Sequence, residues 1–185
     1  MISARSGDLQ VATSSRVAAW RRKSNRLPRE VYKGNHTFHV TLATAGRVPR
    51  FRDGEWVRYC EGALASAAEA EGFVLLAYIF MPDHAHILAA SGLEPSDLAR
   101  FVKRFKQETS FAFKRRTGQP LWQKGYYDHV VRGDEDLTGI ALYIAGNPVR
   151  SGLVDEWIAY PFVGGVLLIA ARGGDLKVAA SSASA

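Results

Sequence analysis

Two histidines separated by one residue are the side chains of this sequence with the clearest chemical potential. His84 and His86 lie in the string MPDHAHIL (81–88), where apolar residues alternate with them. Residues i and i+2 of a β-strand point to the same face with Cα atoms about 6.6 Å apart, so two imidazoles can bind one divalent ion. The spacing alone does not distinguish such a metal site from two polar residues on a solvated sheet face.

Tyr143 and Asn147 form a second candidate group. They stand four residues apart in a predicted helix, so their side chains share one face of it. A phenol is a possible nucleophile, and an amide oxygen is a possible metal ligand. The alternative from spacing alone is a packing tyrosine followed by an asparagine that ends the helix before Pro148.

Other residues compete for the same two roles. Tyr126 and Tyr127 are adjacent on a predicted strand and therefore face opposite ways. Each is an alternative nucleophile, although packing or base stacking is the favoured role for both. Asp128 and His129 are alternatives to Asn147 as a third metal ligand. Two further histidines are interpreted as ordinary strand residues: His36 and His39.

The charge of the chain is typical of proteins that bind polyanions. It contains 24 Lys and Arg against 18 Asp and Glu, a net charge of +6. In the predicted helix 95–116, basic residues are interleaved with phenylalanines, which are interpreted as core residues, whereas the cations are candidates for phosphate contacts. The candidate nucleic-acid-binding residues are Arg26, Arg29, Arg100, Lys103, Arg104, Lys106, Arg115, Arg116, Lys124 and Arg132.

An alternation of strands and helices is predicted to position these groups. Period-two patterns and apolar runs predict strands, whereas Ala-rich and amphipathic stretches between capping signals predict helices. The order predicts an α+β, ferredoxin-like (RRM-like) antiparallel sheet with helices packed on one face. The predicted strands are 36–44, 73–80, 84–90 and 121–132, and the predicted helices are 54–71, 95–116 and 134–147.

The length and composition bound the domain organisation. A chain of 185 residues predicts one domain, which we place at residues 29–172. Residues 1–28 are interpreted as a basic flexible arm, and residues 173–185, rich in Ala and Ser, as a flexible tail. Cys60 is the single cysteine, which indicates a reducing, cytoplasmic setting. No apolar run reaches the roughly 20 residues of a membrane span, so a soluble protein without a membrane partner is expected.

Five strings in a fixed order give the sequence a family resemblance. They are MPDHAHIL (81–88), LWQKGYYDHVVR (121–132), ED (135–136), YIAGNPVRSGLV (143–154) and AYPFVGG (159–165). In order and spacing, over about residues 25–165, the chain resembles the REP-associated tyrosine transposases, which belong to the single-tyrosine HUH transposases of bacterial insertion sequences. The resemblance implies the HUH endonuclease fold and a catalytic domain at residues 29–172.

The resemblance also implies roles for the candidate residues. It implies that His84 and His86 bind a divalent metal, Mg²⁺ or Mn²⁺, with a further contact from Asn147, and that Tyr143 is the nucleophile. The expected substrate is single-stranded or hairpin DNA, cleaved and rejoined through a 5′-phosphotyrosine intermediate, by a monomer or a homodimer. The chain departs from the family pattern at Ala145-Gly146, because an aromatic residue often precedes the asparagine in the family.

Three other functions compete with this interpretation. A domesticated, non-catalytic DNA-binding protein would keep the fold and the charge. A metal-dependent hydrolase would use water instead of tyrosine, and an HUH replication initiator or relaxase would share the histidine pair. Formation of a covalent DNA adduct and the preferred DNA sequence would discriminate among them.

Overall fold

The secondary structure follows the predicted alternation, with some shifted ends. A computed structural model of the chain describes residues 35–92 and 96–173. Its strands are β1 (Thr37–Ala43), β2 (Phe73–Met81), β3 (His84–Ser91), β4 (Tyr127–Val131) and β5 (Val163–Gly164). Its α-helices are α1 (Gly54–Ala70), α2 (Leu98–Thr117), α3 (Leu137–Ala145), α4 (Asn147–Arg150) and α5 (Val166–Gly173), and short 3₁₀ turns lie at Ala45–Arg47 and Trp157–Ala159.

The five strands form one antiparallel sheet. Their order is β4-β1-β3-β2-β5, with β2 and β3 joined as a hairpin across the two residues Pro82 and Asp83. β3 lies between β1 and β2, and its register pairs His86 with Thr41 of β1 and with Ile79 of β2. This arrangement confirms the predicted α+β, ferredoxin-like order of elements.

One face of the sheet is covered by α1 and α2. The side chains of Val40 and Ile87 point to this face and pack with Phe101 and Phe105 of α2 in one buried cluster. These phenylalanines are fully buried, as the amphipathic pattern of the helix predicts. Phe111 of the same helix is instead exposed to solvent. We call this side of the sheet the α2 face.

The opposite face of the sheet is covered by α3 and α5. Ile79 of β2 and Leu88 of β3 pack there with Ala141 and Ile144 of α3 in a second buried cluster. The sequence analysis placed the helices on one face, and α3 and α5 differ from that expectation. The physical reason is that β2 is an apolar run on both of its sides, so both faces of the sheet need cover. We call this side the α3 face.

The end of the third predicted helix differs in detail from the expectation. α3 ends at Ala145, and Asn147 begins the short helix α4 instead of ending α3. Pro148 occupies the first turn of α4, where its missing N–H is tolerated. The fourth strand is also shorter than predicted, because before Tyr127 the chain forms only an isolated bridge between Trp122 and Thr44.

The C-terminal part of the described chain adds two elements that the sequence analysis did not predict. β5 pairs with β2, and Gly165 then turns the chain into α5 with φ of +107°. A Cβ atom at Gly165 would stand 2.6 Å from the Cα atom of Ala77, so only glycine allows this close approach to β2. The predicted arm at 1–28, with Arg26 and Arg29, lies outside the described residues, as does the predicted tail beyond Gly173.

None of the helices in residues 35–92 and 96–173 combines the length and the apolar composition that crossing a bilayer requires.

Candidate active site

The two histidines of the HAH string lie side by side on the α3 face. Ala85 and Ile87 point into the cluster under α1 and α2, whereas Leu88, two residues after His86, points into the cluster under α3. Strand alternation therefore sends His84 and His86 to the face that carries α3. Their ring centroids are 4.9 Å apart, with planes at 87° to each other.

Each of these rings is oriented through its Nδ1 atom. His84 Nδ1 lies 2.6 Å from Asp83 Oδ1. His86 Nδ1 lies 3.0 Å from the Thr41 hydroxyl and 3.2 Å from His39 Nε2. Metal-binding histidines use one ring nitrogen for the ion and the other for such an orienting partner. Both rings therefore have Nε2 as the atom that suits a metal.

An arginine that the sequence analysis did not select extends this network. The 3₁₀ turn after β1 holds Arg47 in the left-handed region, with φ of +57°, directly after Gly46. Arg47 Nη1 lies 3.3 Å from Asp83 Oδ2, so Asp83 is bound by an arginine on one oxygen and by His84 on the other. A non-glycine residue in this backbone region is strained, and such strain occurs preferentially at functional sites.

The electrostatics of the site keep two partly buried imidazoles neutral. Burial is the largest cause that lowers the pKa of His86 to about 3, and the charges of His84, His39, Arg150 and Arg47 contribute to the same shift. Burial, with the charge of His129, lowers the pKa of His39 to about 4. A neutral imidazole has a lone pair to give to a metal, so at neutral pH His86 is in the form that can bind one.

These lowered pKa values predict an acid-dependent loss of stability in the metal-free protein. The unfolded chain binds protons at His39 and His86 below about pH 6.5, whereas the folded chain does not until about pH 4 and pH 3. The free energy of unfolding should therefore fall from about pH 7 to about pH 5, by about 2 kcal/mol per histidine at most. Urea unfolding in the presence of a chelator measures it.

A variant separates this effect from general acid sensitivity. His39→Gln removes one of the two titrating rings, so the loss of unfolding free energy over the same pH interval should be about halved. The carboxyl groups with a lowered pKa, such as Asp83, have an ordinary value of 3.8 and contribute only at more acidic pH. An unfolding free energy that is the same at both ends of the interval would contradict the prediction.

Tyr143, on α3, presents its phenol to solvent. Its side chain is 59% exposed, although the neighbouring Ile144 is fully buried in the cluster under the helix. The guanidinium of Arg150 lies over the Tyr143 ring, with 4.1 Å between its Cζ atom and the ring centroid. Because Arg150 also lies close enough to lower the pKa of His86, it links the candidate nucleophile to the histidine pair.

The candidate third ligands are divided between the two faces of the sheet. Asn147 Nδ2 donates to the carbonyl of Ile144 at 2.8 Å, which fixes the amide and makes its oxygen the ligand-type atom. His129 pairs with His39 and so shares the face of the histidine pair, where it also contacts Glu135 at 3.3 Å. Asp128 pairs with Val40 and points to the α2 face, away from the site.

The donor set fits a divalent ion with open coordination positions. Across the two described ranges, no group of three or more His, Cys, Asp or Glu side chains is arranged to hold a metal. The residues that could hold an ion here are His84 and His86, with the Asn147 oxygen as a candidate third ligand, and such a set leaves coordination positions open to water or substrate. Imidazole ligands favour Mn²⁺ or Zn²⁺ over Mg²⁺.

The two alternative tyrosines face opposite ways, as predicted. Tyr127 pairs with Thr41 on the α3 face and is 58% exposed. Tyr126 packs against the cluster under α1 and α2. The strand geometry therefore leaves Tyr127, and not Tyr126, on the side of the sheet that carries His86.

Several of the predicted DNA contacts are engaged within the protein. Arg100 and Arg104 form ion pairs of 3.0 and 3.1 Å with Glu71, whose side chain is only 4% exposed. Arg116 pairs with Asp53, and Lys106 donates to the backbone carbonyls of Gln123 and Gly125. These residues belong to α2, on the side of the sheet away from Tyr143. The remaining described candidates are exposed: Lys103, Arg115, Lys124 and Arg132.

Comparison with known proteins identifies the family of the chain. The family model described as Transposase IS200 like matches residues 32–147. This chain belongs to that family of DNA transposases. A putative REP-associated tyrosine transposase of Haemophilus influenzae is 24% identical over 119 residues, which cover 58% of this chain and 68% of that protein.

A solved structure shares the fold of this transposase. It is described as a REP-associated tyrosine transposase bound to a REP hairpin, and its TM-score is 0.63 at 20% sequence identity. The similarity covers 75% of this chain and 81% of that chain. The HUH endonuclease fold that the five strings imply is thereby confirmed, and with it the resemblance to the REP-associated tyrosine transposases.

Proposed function

We propose that this transposase is a metal-dependent single-strand DNA endonuclease that cleaves and rejoins hairpin-containing DNA. Tyr143 is the nucleophile, and the covalent intermediate is a 5′-phosphotyrosine. His84, His86 and Asn147 bind the divalent ion, which is Mg²⁺ or Mn²⁺. Single-stranded or hairpin DNA is the substrate, in keeping with the REP hairpin in the solved relative of the same fold.

The observation that carries this proposal is the placement of Tyr143. Its exposed phenol stands on the helix that covers the α3 face, and the same face carries His84 and His86. Arg150 contacts the Tyr143 ring and lies within electrostatic range of His86. A phosphate held near the histidines is therefore in the neighbourhood of a solvent-accessible phenol.

Transfer of the DNA phosphate to Tyr143 depends mainly on the positions of the nucleophile and of the stabilising positive charge. His84, His86 and Asn147 are neutral ligands, so an ion that they held would keep its double charge largely uncancelled and would supply stabilisation of the negative charge that develops on the phosphate. The Tyr143 oxygen forms a bond to phosphorus while the bond from phosphorus to the 3′ oxygen breaks. The phenol proton passes to solvent, and the leaving oxygen takes up a proton to become a 3′ hydroxyl. The reverse attack by a 3′ hydroxyl rejoins a strand and releases the tyrosine.

The neutral state of the buried histidines supports the same proposal. A protonated His86 would repel a divalent ion, and burial prevents that protonation at neutral pH. Asp83 orients His84 through Nδ1, so the imidazole ring would separate its negative charge from an ion held at Nε2. The site thus combines firm ligand orientation with a strongly positive ion.

The proposal is tested by looking for the covalent intermediate. The full chain is incubated with Mn²⁺ and a labelled hairpin oligonucleotide that carries randomised single-stranded flanks. We expect a DNA adduct that survives denaturation, forms only when the ion is present, and maps by mass spectrometry to the peptide containing Tyr143. The released strand should carry a free 3′ hydroxyl.

The other candidate functions predict different products. A non-catalytic binder retards the hairpin without cleaving it, and a hydrolase cleaves it without an adduct. A replication initiator or relaxase forms an adduct but selects an origin-type sequence from the randomised flanks. An adduct that maps to Tyr127 would move the nucleophile to β4 and overturn the assignment of Tyr143.

A further inference from the structure

Arg150 contacts Tyr143 in two independent ways. Its guanidinium lies over the ring of Tyr143 at 4.1 Å, and its Nη2 atom donates to the backbone carbonyl of Tyr143 at 2.7 Å. Arg150 is the last residue of α4, and the short turn of that helix directs its side chain back over the end of α3. The Arg150 side chain therefore contacts both the ring and the backbone of the candidate nucleophile.

Gly146 lies in the path of this arginine. A Cβ atom at position 146 would stand 2.8 Å from Arg150 Nη1, which is closer than such contacts occur in proteins. The backbone of Gly146 has φ of −73° and ψ of −3°, a conformation that any residue adopts. Glycine is therefore not needed here for its backbone freedom, and what it provides is room for the guanidinium.

Among the described residues, the ring contact of Tyr143 is the one with Arg150. It is largely exposed, whereas the apolar residues of α3 that are buried pack against the sheet. An exposed aromatic side chain on a helix samples more than one rotamer unless a neighbour restrains it. A flat guanidinium stacked on the ring is such a neighbour, because it combines van der Waals contact with cation–π attraction.

We propose that Arg150 is the positioning residue for the Tyr143 phenol and that the absence of a side chain at Gly146 is what admits it. The proposal rests on the proposed function for the role of Tyr143. It assigns a purpose to the Ala145-Gly146 step, where the chain departs from the pattern of its family. It also assigns a functional role to α4, since Arg150 of α4 restrains Tyr143 of α3.

The first experiment measures the restraint directly, without catalysis. Tyrosine rings are labelled with ¹³C, and the Tyr143 signal is identified by its disappearance in Tyr143→Phe. We expect contacts between the Arg150 side chain and one face of the Tyr143 ring in the wild-type protein. In Arg150→Ala these contacts are lost and the ring signals average over several rotamers. A Tyr143 ring that is equally ordered in Arg150→Ala would overturn the proposal.

The second experiment measures cleavage of the same hairpin oligonucleotide with randomised flanks under single-turnover conditions. Arg150→Ala should slow adduct formation by about 10- to 100-fold, because a misplaced nucleophile loses the benefit of orientation. Arg150→Lys should recover part of the rate, since it can donate to the carbonyl but cannot stack as a plane. Affinity for the hairpin should change by less than about threefold, which separates positioning from DNA binding.

Gly146→Ala distinguishes positioning from general destabilisation. Alanine favours helical backbone, so this variant should unfold at the same urea concentration as the wild type or at a higher one. It should nevertheless slow adduct formation by about 3- to 10-fold, because its Cβ displaces the guanidinium from the ring. A Gly146→Ala protein with the wild-type rate would count against the proposal.

Arg172 offers a matched control. Its guanidinium lies over Trp157 at 5.5 Å, and its Nη2 atom donates to the carbonyl of Tyr160, so it repeats the geometry of Arg150 elsewhere on the same layer. Arg172→Ala should leave both the Tyr143 ring signal and the cleavage rate unchanged. If the wild-type protein forms no adduct at all, the proposed function fails, whereas the ring measurement still decides the role of Arg150.

Discussion

Tyr143→Phe is expected to abolish the covalent DNA adduct and to lower the cleavage rate by at least about 10⁴-fold, because it removes the attacking oxygen. The ring, its contact with Arg150 and its place on α3 are all retained in phenylalanine. Binding of the hairpin should therefore stay within about twofold of the wild-type affinity. Gel analysis under denaturing conditions measures the adduct, and fluorescence anisotropy measures the affinity.

Tyr127→Phe is the informative control for this experiment. Tyr127 is as exposed as Tyr143 and lies on the same face of the sheet as His86, so it is the tyrosine of β4 that could replace Tyr143. The control should form the adduct at a rate close to that of the wild type. Normal adduct formation by Tyr143→Phe, or its loss in Tyr127→Phe, would show that the nucleophile had been assigned to the wrong tyrosine.

The elements that the sequence analysis predicted best are those with strong local signals. β1 has strict alternation, α1 is bounded by Asp53 as a cap, and α2 ends at Gly118 in the left-handed conformation. The geometry of the HAH string was also predictable, since strand alternation alone sends His84 and His86 to the same face. These features depend on neighbours in the chain, which a sequence displays directly.

The side of the sheet on which α3 packs depends on contacts that are distant in sequence. α3 covers residues of β2 and β3, and nothing in its own apolar pattern tells which face it will meet. The clue was in β2, whose apolar run is buried on both sides and therefore requires a second layer. This layer is what places Tyr143 on the face of the histidines, so the deviation from the predicted packing is also the deviation that allows the site to form.

Some basic residues predicted to contact DNA are instead paired with an acidic residue of the protein. Arg100 and Arg104 are spaced as phosphate contacts would be, but Glu71, from the end of α1, pairs with both. Their distance from Glu71 along the chain gave the sequence no means to reveal that pairing. Arg47 and Arg150 were missed because their significance lies in contacts with Asp83 and Tyr143, respectively, which the sequence pattern does not show.

Replacing one histidine of the HAH pair is predicted to have a large effect on both Mn²⁺ binding and adduct formation. His84→Ala should weaken Mn²⁺ binding by at least about 100-fold and reduce adduct formation in proportion, because two imidazoles cannot be replaced by one. His84 is a better choice than His86, because the Nδ1 atom of His86 contacts Thr41 and His39 and its loss would also disturb these partly buried partners. Titration calorimetry with Mn²⁺ measures the binding.

Two further variants accompany His84→Ala. Asp83→Asn should have an intermediate effect on Mn²⁺ affinity, and His129→Gln is the control. Asparagine keeps the size of Asp83 but weakens its bond to His84 Nδ1, so Mn²⁺ affinity should fall by about 10-fold, less than in His84→Ala. His129 shares the face of the pair but contacts Glu135, and its replacement should leave the affinity within about threefold.

Wild-type Mn²⁺ affinity in His84→Ala would place the ion elsewhere. A large loss in His129→Gln would instead make His129 the third ligand, in place of Asn147. The order of the three variants therefore tests whether the ion is bound at the HAH strand, because such a site must lose most affinity at His84, less at Asp83 and least at His129.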